Sequence, residues 1–437
     1  MSEDHNRAAT GSSGPGNAAS FPLAAQISLK EFEFPDFPPQ ASRLRQLTLT
    51  ADIKLDEYQG KVQVPSDAIT TQPPLPDLPQ SITHLSLELF GLGFPGKPPF
   101  LGRLARALPN ITTLTFFSCL IDGLDDASRK DAEAFFRLLP NLQELHLIDS
   151  FARPGFFKAI GEIFEKRSNG GKSENEGKGE DESEGDPKGG SGGQSPGGLK
   201  MVDVSYTFRG HEDSDFLARV QGEELPNLIV KGVVGASFDF VPEVVDQLAG
   251  DDEGGAGAGN GKKDTDNKKV AEGILPFASD GRAPAALKKR FETLSSGGLQ
   301  SLKVLNLGMW SLRPAEVGQV LYACAGGGGG GGQTGLADVT VSVLLEENWM
   351  ETFIEGFGRK DVVVVPDLEG IEVVGVPDRP GVEGDDWKHG LALATRSDVE
   401  KLNDVCPRLG KFGMSLLKVR SAPHVLFFKE QESWVEQ

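Results

Sequence analysis

Six histidines and three cysteines carry most of this chain's capacity for metal ligation or nucleophilic and acid–base chemistry: His5, His84, His146, His211, His389, His424, Cys119, Cys324 and Cys406. Their spacing organises little of it. No histidine pairs with a cysteine at ligand spacing, and three widely separated cysteines frame neither a CxxC metal site nor a disulfide scaffold. His211-Glu212 opens like a zinc-protease helix, but Asp215 stands where the second histidine is needed. Gly189-Gly190-Ser191-Gly192-Gly193 spells a nucleophile elbow. That device needs a strand before it and a helix after it, and here it lies in a Gly/Ser tract. Gly171-Lys172-Ser173 matches the end of a phosphate-binding loop whose first glycine is replaced by Lys166. The glycine run 326–332 satisfies a dinucleotide pattern only trivially. The chain therefore reads as non-enzymatic, with no catalytic, cofactor or metal residues.

The elements that would position His84 and His146 recur along the chain. The unit is an apolar-x-x-apolar-x-apolar strand, twice preceded by Leu-Pro-Asn: Leu108-Pro109-Asn110-Ile111-Thr112-Thr113-Leu114-Thr115-Phe116 and Leu139-Pro140-Asn141-Leu142-Gln143-Glu144-Leu145-His146-Leu147. Clear copies start at Ile82 and Leu302, weaker ones at Leu44, Leu199, Leu225, Leu336, Leu368 and Leu409. Ile82, Ile111 and Leu142 are about 29 and about 31 residues apart, which leaves room for a helix between strands. Helical spacing of apolar residues fills these intervals, as in Phe100–Leu108, Asp131–Leu139 and Phe156–Phe164, and later in Ala285–Leu294, Pro314–Tyr322, Trp349–Phe357 and Val399–Val405. Pro314 and Pro154 stand where a first helical turn accepts proline. Counting from Ile111, Cys119 is ninth and Ile121 eleventh, the full leucine-rich-repeat signature. The ninth residues after Ile82, Leu302 and Leu409 are Phe90, Trp310 and Leu417, so the Asn/Cys ladder is mostly missing.

On these residues the chain resembles the ribonuclease-inhibitor-like class of leucine-rich-repeat proteins, and is similar to the repeat region of F-box receptors. The resemblance implies an α/β solenoid, a horseshoe with parallel strands on the concave face and helices on the convex face. It would span residues 44–425 in about nine to ten irregular repeats. Gly/Ser/Glu-rich inserts at 168–198, 249–269 and 326–335 are too poor in apolar side chains to order themselves and are expected as disordered projections. Removing the first brings the interval from Leu142 to Leu199 to about 27, one repeat. The gap from Leu225 to Leu302 conceals a degraded strand near Ile274 or Val233. Residues 1–20 read as a disordered tail and 426–437 as a C-terminal tail. Residues 21–43, with Phe32-Glu33-Phe34-Pro35-Asp36-Phe37-Pro38-Pro39, read as an N-terminal cap, a linker or a partner motif. The F-box kinship would make the chain the substrate-recognition subunit of a cullin-type ubiquitin ligase, held by a Skp-type adaptor. No F-box is visible ahead of the repeats, where Phe21-Pro22-Leu23 runs into prolines; a degenerate F-box or a different gene start would restore the kinship.

Alternating strand positions place Gln46, Thr48, His84, Ser86, Glu88, Thr113, Thr115, Phe117, Glu144, His146, Asp203 and Asn306 on the concave face, with Ser205 and Glu372. They are solvated strand residues or a partner-binding surface. The expected function is a protein-interaction scaffold that takes a protein or peptide there. The 437 residues carry 64 Asp and Glu against 44 Lys and Arg, a net charge of −20. Such a surface disfavours nucleic acid and anionic membrane, and serves either solubility or a basic partner. No signal-like leader or long apolar run is visible, which points to an intracellular protein, cytoplasmic or nuclear. The two ends of an open array are surfaces on which a second copy could pair. Cys119 is expected to be buried with its thiol on loop backbone, and Cys406 to be structural too. Trp310, Trp349 and Trp387 fit interface anchors or half-buried fillers equally. Lys262-Lys263 and Lys268-Lys269 fit a solvated loop or a nuclear-localisation signal.

Overall fold

The computed structural model describes residues 24–28, 37, 39–50, 75–88, 100–123, 125–168, 198–207, 222–241, 282–294, 299–325, 335–346, 348–359, 362–363, 365–377, 393–416, 424–431 and 433–437. Strand follows strand across one thirteen-stranded sheet. β1 (Ala24–Ser28), β2 (Gln46–Thr50), β3 (His84–Glu88), β4 (Thr113–Phe117), β5 (Glu144–Ile148), β6 (Met201–Thr207), β7 (Gly235–Val241), β8 (Val304–Leu312) and β9 (Asp338–Leu345) pair parallel in chain order. A separate antiparallel ribbon, β10 (Gly358–Arg359) with β11 (Val362–Val363), precedes the next sheet strand. β12 (Gly370–Pro377) and β13 (Lys411–Leu416) continue the parallel run, and β14 (Val425–Glu430) and β15 (Ser433–Glu436) close it antiparallel.

Between successive strands lie α1 (Phe100–Ala107), α2 (Asp126–Arg137), α3 (Phe156–Ser168), α4 (Arg282–Leu294), α5 (Pro314–Cys324), α6 (Trp349–Phe357) and α7 (Arg396–Val405). Parallel neighbours need such crossovers. Each helix buries one stripe against the inward residues of the strands. Leu85, Leu87, Leu114, Phe116, Leu145 and Leu147 meet Phe100, Leu104, Phe135, Phe136, Phe156 and Ile160 in one continuous core. Local sequence starts the helices. Asp125 caps α2 by accepting from Ser128 N at 2.7 Å, and Thr395 with Asp398 forms a capping box on α7. Helices α5 and α6 approach closely at Gly318 and Gly356, where a Cβ on Gly318 would stand 2.3 Å from Gly356 Cα. The architecture is an α/β repeat solenoid built on a predominantly parallel sheet.

One backbone device repeats at nine junctions. The carbonyl of the residue before a strand accepts from two consecutive N–H groups of the next repeat: Arg45 from Thr83 and His84, Thr83 from Thr112 and Thr113, Thr112 from Gln143 and Glu144, and so on to Glu369 from Gly410 and Lys411. The Leu-Pro-Asn signal has its own physical cause. Asn110 Nδ2 donates to Gln80 O at 2.9 Å and Asn141 Nδ2 to Pro109 O at 3.2 Å, so each asparagine ties its loop to the preceding repeat. Cys119 is buried as its position predicts, and its Sγ donates to Leu87 O at 3.2 Å. The equivalent position one repeat later holds Ser150, whose hydroxyl accepts from Cys119 N. Ser118 and Asp149, just before these two residues, both take positive φ where their strands end.

Several expectations are corrected. Leu225 does not begin a strand: Leu225–Leu228 is a 3-10 turn, Ile229 and Val230 fill the core, and the repeat starts at Val233 before β7. β7 pairs directly with β8, so no further sheet strand stands between them. Within 21–43, residues 24–28 supply β1 and Pro39–Arg43 a 3-10 turn, and Phe37 packs on the core. Residues 426–437 are mostly sheet rather than tail, with Phe427 and Trp434 buried over that end of the core. Ser168 ends α3, and Gly198 and Gly335 belong to strand-entry loops; residues 1–20, 169–197, 249–269 and 326–334 lie outside the described residues, with Trp387, His211 and the Gly/Ser motifs. Trp310 and Trp349 are core residues. β8 inserts three extra residues between Leu307 and Ser311 relative to β9, which tucks Met309 and Trp310 inward, Trp310 against Phe238 at 5.1 Å.

Candidate partner-binding face

Because alternate strand residues point inward, the others form three rows across the open face of the sheet. The first row runs Gln46, His84, Thr113, Glu144, Met201, Gly235, Val304, Asp338. The middle row runs Thr48, Ser86, Thr115, His146, Asp203, Ser237, Asn306, Thr340, Glu372. The third row holds Thr50, Glu88, Phe117, Ile148, Ser205 and Asp239. All twelve sequence-predicted face residues thus stand in register on one surface. Ser237 and Asp239 escaped the sequence because Ala236 replaces the leucine of their repeat, and reading that repeat from Val233 would have found them.

Polar contacts run along and across these rows. Thr113 Oγ1 donates to Glu144 Oε2 at 3.0 Å, and Ser86 Oγ to Glu88 Oε1 at 3.4 Å. His146 Nδ1 lies 3.3 Å from Asp203 Oδ2, and its Nε2 lies 4.0 Å from Glu144 Oε2. The hydrogen bond that the imidazole donates to Asp203 holds His146 above its usual titration range, against the opposing effect of burial. The same bond, with help from the Ser237 hydroxyl, holds Asp203 below the usual carboxylate range. Asn306 Nδ2 reaches Ser237 Oγ at 3.5 Å, and Asn306 Oδ1 accepts from Gly308 N at 2.8 Å. Farther along the row, His424 Nε2 lies 3.1 Å from Glu372 Oε1.

Chemically this is a hydrogen-bonding and ion-pairing surface. Contacts run serine to aspartate to histidine, so Ser237 meets a carboxylate of lowered basicity rather than an imidazole base. Among the described residues, no three His, Cys, Asp or Glu side chains are grouped to hold a metal ion. Cys324 and Cys406 are buried, and desolvation pushes each thiol up to about 12, away from thiolate chemistry. Among the described residues no helix is long and apolar enough to cross a membrane.

Charge is handled differently in the loops and helices that follow β4 and β5. The buried Asp122 accepts from Arg153 N at 2.8 Å and from Arg153 Nε at 3.1 Å, with Arg129 Nη1 at 3.9 Å. Desolvation nevertheless wins and raises its pKa. Asp131 on α2 caps α1 from outside, accepting from Leu101 N and Gly102 N at 2.8 Å each.

No family model matches the sequence, and no curated protein does. Among solved structures the chain is similar to the leucine-rich-repeat-containing protein LegL7 from Legionella pneumophila, at 8% identity and a TM-score of 0.30, over 82% of this chain and 91% of that one.

Proposed function

We propose that this chain is a leucine-rich-repeat scaffold of the ribonuclease-inhibitor-like kind, without catalytic activity of its own, that binds a protein or peptide on the open face of its sheet. That face forms the concave side of a horseshoe. The observation that carries the reading is the middle row, where polar side chains stand in unbroken register across nine strands from Thr48 to Glu372. Helices and core occupy the opposite face, and this row is a regular surface to which nine strands contribute together. Rigid strands fix its side chains in advance, which reduces the ordering cost of binding. The protein works inside the cell, in cytoplasm or nucleus, with a protein partner and with neither nucleic acid nor membrane.

The test is co-purification of the full chain from its source cells, with bound proteins identified by mass spectrometry, beside a variant carrying Thr115→Arg, Glu144→Lys and His146→Glu. A partner retained by the intact chain and lost by the folded variant supports the reading. Partners unaffected by the variant refute the face assignment. Recovery of a Skp-type adaptor with a cullin would specify the scaffold as a ubiquitin-ligase receptor.

A further inference from the structure

The open face carries its charge in a pattern. Six carboxylates project from the strands: Glu88, Glu144, Asp203, Asp239, Asp338 and Glu372. Lys411 is the lysine on these rows, at their far end, and Arg45, Lys200 and Lys303 stand one residue ahead of their strands. Two of the carboxylates, Asp203 and Glu372, lie on the middle row and face a histidine each, His146 and His424. Both remain reachable, with 34% and 29% of their side chains exposed. Four strand intervals separate them, roughly 19 Å at the usual strand spacing. Ser237, Asn306 and Thr340 fill the interval with hydroxyl and amide groups. Beside it on the first row, Met201 lies over Gly235 and the exposed Val234 and Val304 adjoin it, a small apolar step.

We infer that the middle row docks an extended basic segment of a partner protein, lying across the strands with one cationic side chain on Asp203 and a second on Glu372. This rests on the scaffold reading and adds the partner's chemistry and spacing. An extended chain advances about 3.3 Å per residue, so six residues cover about 20 Å. Residues i and i+6 also share one side of an extended chain, which lets both cations face the sheet. Charge complementarity selects the occupant, because the middle row has no lysine or arginine from Thr48 to Glu372 and the whole chain carries −20.

His146 gives the docking a pH dependence of known sign. Around His146 the charged groups are Glu144 on its own strand and Asp203 on β6; β4 presents only Thr113, Thr115 and Phe117. Protonated His146 neutralises the carboxylate that the incoming cation needs. Deprotonation frees it, so affinity rises with pH through the His146 titration.

The experiment uses the full chain and a dye-labelled eleven-residue Ser/Gly peptide with arginines at positions 3 and 9, read by fluorescence anisotropy at low salt. An isomer with arginines at positions 5 and 7 is the spacing control. The 3,9 peptide is expected to bind roughly tenfold more tightly than its isomer, and Asp203→Asn and Glu372→Gln are each expected to weaken it roughly tenfold. Glu162→Gln with Glu355→Gln, on the helices, is expected to leave it unchanged. Affinity is expected to be higher at pH 8 than at pH 6, with His146→Gln flattening that difference. Equal binding of the two isomers, or equal loss in the helix variant, overturns the inference and reduces it to general attraction by an acidic protein. A cellular partner that depends on the open face but engages it through an acidic or apolar segment overturns this inference alone and leaves the scaffold standing.

Discussion

Asp122 and Asp203 meet opposite fates in one solenoid. Asp122 sits sealed in the loops at one end of the strands, against Arg153 and Arg129, and burial still raises its pKa. Asp203 stands on the open face beside a single histidine, and its pKa falls. The first carboxylate has permanent cations for partners, since arginine does not titrate in the working range. The second has a cation that comes and goes near neutrality. Asp122 is locked between its repeats, and Asp203 on the open face is left adjustable.

Breaking the locked site should have the largest effect. Asp122→Ala leaves Arg153 N–H groups and part of two guanidiniums without their acceptor, and should lower unfolding stability by about 3 kcal/mol in denaturant titration. A loss near zero would mean the network is ornamental. Asp131→Ala, which strips the acceptor from two N–H groups at the start of α1, should cost about 1–2 kcal/mol and expose the Leu101 and Gly102 amides to hydrogen exchange. Unchanged protection at those amides would contradict the cap.

The adjustable site should show smaller effects with a definite sign. His146 has a raised folded-state pKa, so its stabilisation is complete below the unfolded value of about 6.5 and is lost as pH rises through the folded one. Asp203 has a depressed pKa, so its stabilisation holds above the unfolded value of about 3.9 and is lost as pH falls through the folded one. The pair is fully engaged between those limits. Histidine titration by NMR should place His146 above 6.5, and Asp203→Asn should bring it down. A His146 titration indifferent to Asp203→Asn would remove the ion pair from the description.

The region from β3 to β6 was legible in the sequence, and the region around β7 was not. In the former, buried apolar residues, aliphatic apart from Phe116 and Tyr206, occupy the inward strand positions, and Leu-Pro-Asn marks two of the loops. Even Cys119 declared its burial through its place in the repeat. Around β7, Leu225-Pro226-Asn227 repeats the loop signal, but here Asn227 donates to Glu224 O within its own turn rather than to the preceding repeat. The strand then starts five residues beyond the position the signal suggests, at the cost of a positive-φ glycine, Gly232. The closing strands β14 and β15 were unreadable for another reason. They are short and antiparallel, and follow no repeat period. The face residues were readable because strand alternation places them, whereas the Asp203–Ser237–Asn306 contacts depend on β7 and could not be read without its register.

The measurement that most directly tests binding on the open face compares two single substitutions of the same kind. With the partner recovered from cells, a binding isotherm is recorded for the intact chain, for Thr115→Arg in the middle row and for Glu355→Arg on α6, after thermal unfolding confirms that both variants are folded. Loss of binding in Thr115→Arg with retention in Glu355→Arg is the predicted result. Retention in Thr115→Arg with loss in Glu355→Arg would contradict it and move the binding surface to the helices.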